Sequence, residues 1–123
     1  MKLNRILLGG AAALALVAGP SIAANADVSA QYTNAGIQRS TAYYNTSLDR
    51  VTTSDVYNDG WGSRARWNLN AGGSGSKDNT GGAGSSDYGY PSFGSSTKIK
   101  IASCSVDNGI EKGCGAYTAY VNK

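Results

Sequence analysis

The sequence predicts an all-β fold: a small antiparallel β-sandwich with one disulfide-stapled C-terminal hairpin, preceded by a signal peptide. Three observations carry this. Gly, Ser, Thr, Asn and Tyr dominate the chain after residue 26, and no long i, i+3, i+4, i+7 apolar stripe interrupts them, which argues for strands and turns. Several segments alternate apolar and polar residues, the pattern of strands with one dry and one wet face. The only two cysteines, Cys104 and Cys114, stand near the end of the chain.

The chain opens MKLNRILLGGAAALALVAGPSIAANADVSA. Lys2 and Arg5 supply a positive start. The apolar run over 6–18 is shorter than the ~20 residues a membrane span needs, Gly19-Pro20 breaks any helix, and Ala24-Asn25-Ala26 is a small-x-small cleavage site. Residues 1–26 therefore read as a secretory signal peptide cut after Ala26, leaving one domain over 27–123. An uncleaved anchor is the competing reading, disfavoured by the short apolar core. No cysteine follows that core, as a lipid-anchored protein would require. The expected product is secreted, extracellular, monomeric and free of the membrane after cleavage. Removing Lys2 and Arg5 takes the formal net charge from +3 to +1. No cluster of Lys or Arg remains to neutralise many phosphates, so nucleic acid is not an expected partner.

The elements follow in order. STAYYNTSLDRVTTSDVY (40–57) is long enough for two strands or one bent strand. In SRARWNLN (63–70), Ala65, Trp67 and Leu69 share one face and Arg64, Arg66, Asn68 and Asn70 the other. NDGWG joins these two regions, and its Asp59-Gly60 step predicts a first hairpin, because Gly takes positive φ at low steric cost. The stretch 71–96 is Gly/Ser-rich and nearly free of aliphatic side chains, and reads as a long mobile loop. Tyr88, Tyr90, Pro91 and Phe93 could anchor its far end. In TKIKIAS (97–103), Ile99 and Ile101 oppose Lys98 and Lys100. A second hairpin joins 98–106 to a strand over 114–121 through DNGIEKG, with Asn108-Gly109 in the turn. In that last strand Tyr117, Ala119 and Val121 would oppose Ala116, Thr118 and Tyr120. The core drawn from these patterns is Val28, Ile37, Tyr44, Leu48, Val51, Val56, Trp67, Leu69, Ile99, Ile101, Val106 and Val121. It is thin, which is a physical reason to expect a staple.

In an oxidising compartment Cys104 and Cys114 form a disulfide by default. It closes a loop of about eleven residues, which the chain-entropy model values at roughly 2.5 to 3 kcal/mol. A redox or metal pair would want closer spacing or histidine ligands, and the sequence has no histidine. The same absence removes a Ser-His-Asp triad and an imidazole base. Glu111 falls in a predicted turn, and Asp49, Asp55, Asp59, Asp78, Asp87 and Asp107 mostly sit where Asp simply forms turns. No catalytic residue and no cofactor is expected. Asp55, Asn58 and Asp59 could offer oxygens to calcium, but their spacing is not that of an EF-hand, and Asx residues beside Gly form turns without metal.

For binding, the candidate residues are Trp61, Arg64 and Arg66, with Tyr88 and Tyr90 from the long loop second. Trp67 is in phase with the core. Trp61 lies inside a turn between glycines, either folded over the hydrophobic edge or displayed beside the outward arginines. Exposed Trp, Tyr and Arg are the residues of hot spots and sugar-stacking platforms.

LDRVTTSDVYNDGWGSRARW, a Gly-rich stretch, and KIKIASCSVDNGIEKGCGAY follow one another over most of 48–121. This order of strand, acid-Gly turn, aromatic strand and late Cys…Cys hairpin resembles the small secreted β-domain proteins of actinobacteria. The resemblance implies a β-sandwich and export, and carries over no catalytic residue. The expected function is a non-enzymatic secreted binding domain for an extracellular protein or polysaccharide. An exported inhibitor of a secreted hydrolase and a small antibacterial toxin are the alternatives, and nothing in the sequence separates the three.

Overall fold

The computed structural model describes residues 27–123; the signal peptide expected over 1–26 lies outside them. Among the described residues nine strands form: β1 (Val28–Asn34), β2 (Ile37–Asn45), β3 (Arg50–Asp55), β4 (Gly62–Leu69), β5 (Ser74–Asn79), β6 (Ser86–Gly89), β7 (Lys98–Asp107), β8 (Ile110–Cys114) and β9 (Val121–Asn122). No helix occurs among the described residues. One antiparallel sheet has the order β1-β2-β3-β6. The other has the order β9-β7-β4-β5, with β8 sharing the β9 edge of β7.

Alternation places the core between the sheets. Ala42, Tyr44 and Val51 from the first sheet meet Ala65, Trp67, Leu69, Ile99 and Ile101 from the second, and Phe93 closes the same cluster. Tyr44 and Phe93 pack with ring centroids 6.3 Å apart. Toward the other end the inward positions turn polar. Ser40, Thr53, Asp55, Ser63, Ser103 and Ser105 are all buried. Ser103 Oγ donates to Ser40 Oγ at 2.8 Å, and Thr53 Oγ1 donates to Ser63 Oγ at 2.8 Å. These bonds bridge the two sheets, because buried hydroxyls need partners. Leu48 and Val56, expected inside, are instead exposed at 49% and 42%. Both lie just outside β3, where alternation no longer governs side-chain direction. Val28, Ile37 and Val121 are only half-buried. Val106 is buried, but on the outer face of β7, since Gly62 of β4 is its neighbour in register.

Both predicted hairpins and the last predicted strand need correction. The Asp59-Gly60 step does not make a hairpin: β3 and β4 belong to different sheets, so 56–61 crosses between them. Gly60 alone has positive φ there, +80°, which is not the paired positive φ of a two-residue hairpin turn. Instead, Ala35-Gly36 (φ 56° and 76°) and Asn108-Gly109 (φ 50° and 80°) make the two-residue hairpins β1–β2 and β7–β8. The second hairpin turns back earlier than predicted, at Ile110 rather than Cys114, and Cys104 faces Cys114 in register in a formed disulfide. The strand expected over 114–121 reduces to β9. Before it, Thr118 N–H donates to the Ile101 carbonyl at 2.8 Å.

The stretch 71–96 is not one long loop. β5 pairs with β4, and β6 pairs with β3. Gly75 is required in β5 because a Cβ there would strike the Trp67 indole lying against it. Asn79, buried, brackets the passage to β6 by donating to the Ser85 carbonyl at 2.9 Å and accepting from Gly81 N–H at 3.1 Å. Pro91 and Phe93 are buried, as anchors of the far end should be, whereas Tyr88 and Tyr90 are exposed.

Candidate functional site

The outer face of the five-stranded sheet carries the wet side of β4. In register across it, Arg64 faces Asp78, Arg66 faces Ser76 and Asn68 faces Ser74 of β5. On the other side Arg64 neighbours Cys104 and Arg66 neighbours Ala102 of β7. Both of these β7 residues are buried although they point outward, so the arginine stems have apolar surface to lie along. Glu111 of β8 and Tyr117 complete an open depression of about 340 Å³, whose lining also includes Asn68, Ser74 and Ser76.

The two arginines play different parts. Arg64 donates from Nε to Asp78 Oδ1 at 2.5 Å and from Nη2 to Asp78 Oδ2 at 2.9 Å, a bidentate pair. Its Nη1 donates to Glu111 Oε2 at 3.2 Å and its Nη2 to the Gly109 carbonyl at 3.1 Å. The Asp78 hydrogen bond holds the guanidinium proton more tightly than usual; burial opposes this and Glu111 reinforces it. Arg64 thus ties β4 to β5 and to the β7–β8 hairpin. Arg66 makes one long contact, Nη1 to Glu111 Oε1 at 3.4 Å, and its side chain is 44% exposed. Its guanidinium carbon lies 6.0 Å from the centroid of the Tyr117 ring, and Lys100 Nζ lies 5.2 Å from the same centroid. The Cys114 sulfur is 3.4 Å from Glu111 Oε1. Being in a disulfide it has no proton to donate, so this is a packing contact.

Arg64 and Arg66 are therefore brought together, and the other candidates stand apart. Trp61 is half-buried outside the depression; its backbone N–H donates to Asp59 Oδ1 at 3.0 Å, and Lys112 Nζ lies 5.6 Å from its ring. Tyr88 and Tyr90 belong to the other sheet's edge, 48% and 61% exposed. They pack edge to face with centroids 5.8 Å apart, and the Arg50 guanidinium sits 4.5 Å over Tyr88.

No family model, no curated protein and no solved structure matches this chain. The chemistry of the site is therefore read from its own geometry.

At the residues considered for calcium, Asp59 Oδ2 accepts from Arg39 Nη1 at 3.1 Å, so a guanidinium already supplies positive charge there. Asp55, 2% exposed, accepts from Tyr57 N–H at 3.3 Å through Oδ1 and leaves Oδ2 buried without a partner. Burial raises its pKa above the ordinary Asp value, the Tyr57 bond lowers it, and nearby Asp59 raises it further. Asn58 is exposed. Among the described residues, the one group of three His, Cys, Asp or Glu with converging ligand atoms is Cys104, Glu111 and Cys114. Its sulfurs form the disulfide and offer no thiolate.

Sequence reasoning missed Glu111, Tyr117, Asn68, Ser74 and Ser76. A signal existed for Glu111: a two-residue Asn-Gly turn puts Ile110 and Glu111 straight onto the returning strand. None existed for Ser74 and Ser76, which acquire their place only when β5 pairs with β4.

Proposed function

We propose that this protein is a secreted, non-catalytic domain that binds an extracellular glycan in the depression on its five-stranded sheet. The observation that carries this reading is a concave site holding a half-exposed guanidinium, tied by one long contact to Glu111, beside an aromatic ring. A few convergent polar groups against an apolar or aromatic wall are the usual make-up of small-ligand sites. Asn68, Ser74 and Ser76 make no side-chain hydrogen bond among the described residues, so their donors and acceptors are available to sugar hydroxyls. Tyr117 offers a ring for the C–H face of a pyranose. Both oxygens of Glu111 are engaged by guanidinium groups, which fits an anion that positions arginines better than a general base.

The test is direct titration of the purified extracellular form with a panel of oligosaccharides, followed by calorimetry and tryptophan fluorescence. Trp67 borders the depression from the buried side, its indole packed in the core, so the heat of binding is the deciding readout. Arg66→Ala and Tyr117→Ala should each abolish binding while leaving the thermal unfolding midpoint unchanged. Retained affinity in both variants would remove the depression as the site.

A further inference from the structure

Resting on the reading of the depression as a glycan site, we infer that its ligand is an acidic saccharide. A uronate carboxylate is received by Arg66. Charge and hydrogen-bonding capacity are unevenly matched around the depression. Three cations stand there, Arg64, Arg66 and Lys100, against two anions, Asp78 and Glu111. The anions do not divide evenly. Asp78 gives both oxygens to Arg64, and Glu111 gives its shorter contact, 3.2 Å, to Arg64 as well. What reaches Arg66 is the other Glu111 oxygen at 3.4 Å, near the outer limit of a hydrogen bond.

Lys100 makes no ion pair among the described residues. Its ammonium rests over the rings of Tyr117 and Tyr120, at 5.2 and 5.1 Å. Asn68, its neighbour in register, puts it on the same outward face as Arg66. Tyr117 is therefore flanked by two cations, neither fully matched by a carboxylate.

A guanidinium has five N–H donors in a fixed fork suited to a carboxylate. Arg66 uses one of them, and weakly. A ligand carboxylate would take the unused edge of the fork in the bidentate geometry Arg64 already shows with Asp78. The rest of the lining separates an acidic sugar from other anions. Asn68, Ser74 and Ser76 line up along the β4–β5 seam beside Arg66, where they can meet ring hydroxyls. An acidic peptide would bring a carboxylate but few hydroxyls to pair with them. A neutral sugar would satisfy the hydroxyls and leave the excess positive charge unanswered.

The experiment uses the full mature domain and one pair of ligands: an oligogalacturonate, and the same oligomer with its carboxylates methyl-esterified. Binding is followed by calorimetry and tryptophan fluorescence. The acid form should bind at least about tenfold more tightly than the ester, the scale of one charge-assisted pair. Arg66→Gln should erase that difference, and Arg66→Lys should restore only part of it, because an ammonium cannot form the fork. Raising the ionic strength to about 1 M should weaken acid binding and leave ester binding unmoved. Thermal unfolding of each variant shows that it is folded. Equal affinity for acid and ester overturns the acidic-ligand inference while the glycan reading stands. Poly-glutamate of matched charge binding as tightly as the oligogalacturonate also overturns it. Binding of no oligosaccharide in the panel removes both.

Discussion

The interior hydroxyl bridge between Thr53 and Ser63 makes a sharp prediction. Both side chains are fully buried, on facing sheets, and Thr53 Oγ1 donates to Ser63 Oγ at 2.8 Å. Thr53→Val is nearly isosteric, so it removes the donor without opening a cavity. It costs the net value of one hydrogen bond, about 1 kcal/mol, plus part of the desolvation penalty of a Ser63 hydroxyl left alone, bringing the total to about 1–3 kcal/mol. Ser63→Ala strands the Thr53 hydroxyl at similar cost. The double variant strands neither group, so its loss should fall below the sum of the single losses by about 1 kcal/mol or more. Urea unfolding of the four proteins measures this. Thermal midpoints should fall by about 4–8 °C per kcal/mol in a domain of this size. Simple additivity of the two single changes would refute the claim that this polar end of the interior is held by paired hydroxyls.

Five further outcomes are expected. Ala35 holds φ 56° in its hairpin turn, so Ala35→Asn should stabilise by about 1 kcal/mol, read as a raised midpoint in chemical unfolding. Gly75→Ala forces the Trp67 indole to move and should destabilise by about 1–3 kcal/mol, with a shifted tryptophan emission maximum. Replacing both Cys104 and Cys114 by Ala, a pair separated by 10 residues, should lower stability by about 3 kcal/mol on the chain-entropy model, without loss of the β-type circular dichroism.

The last two concern pH. Asp55 has its pKa raised in the fold by burial, so the folded state holds this proton more tightly than the unfolded one. Its ionisation weakens the fold as pH rises through the folded value, and the loss is fully relieved below the ordinary value of 3.8. Asp55→Asn, which can still accept from Tyr57, should therefore stabilise at neutral pH, and the gain should shrink as pH drops into the acid range. Asp27 has the opposite sign. The Thr46 backbone bond first, and the Tyr43 hydroxyl next, lower its pKa, so its contribution is present above the ordinary Asp value and lost as pH falls through the lowered one. A stability–pH series on Asp27→Asn should show the variant converging on the wild type only at low pH.

Much of the inner architecture is legible residue by residue. The alternation of 63–70 and 97–103 puts Trp67, Leu69, Ile99 and Ile101 inside, and they are inside. A strand with one buried face cannot slip by one residue without exposing all of them. Asn108-Gly109 forms a turn because its residues tolerate positive φ. The same local chemistry misleads at Asp59-Gly60, since a turn residue decides a backbone angle and not which strand lies beyond it. The Gly/Ser stretch conceals β5 and β6 for a related reason. Their strand character comes from backbone bonding to the edges of β4 and β3, which leaves little mark on side-chain composition.

By itself, then, the order of residues determined the class of object: extended segments, one dry face on the strands that alternate, and a cystine late in the chain. These depend on local angles, on period, and on the chemistry of two thiols. Only the tertiary structure decided the pairing of β4 with β5 and the register in which β8 returns along β7. It thereby decided that Arg64 is bound by Asp78 and Glu111 while Arg66 keeps one long contact to Glu111 beside Tyr117. That difference arises from neighbours distant in the chain, and two arginines one residue apart on one strand face carry no local mark that tells them apart.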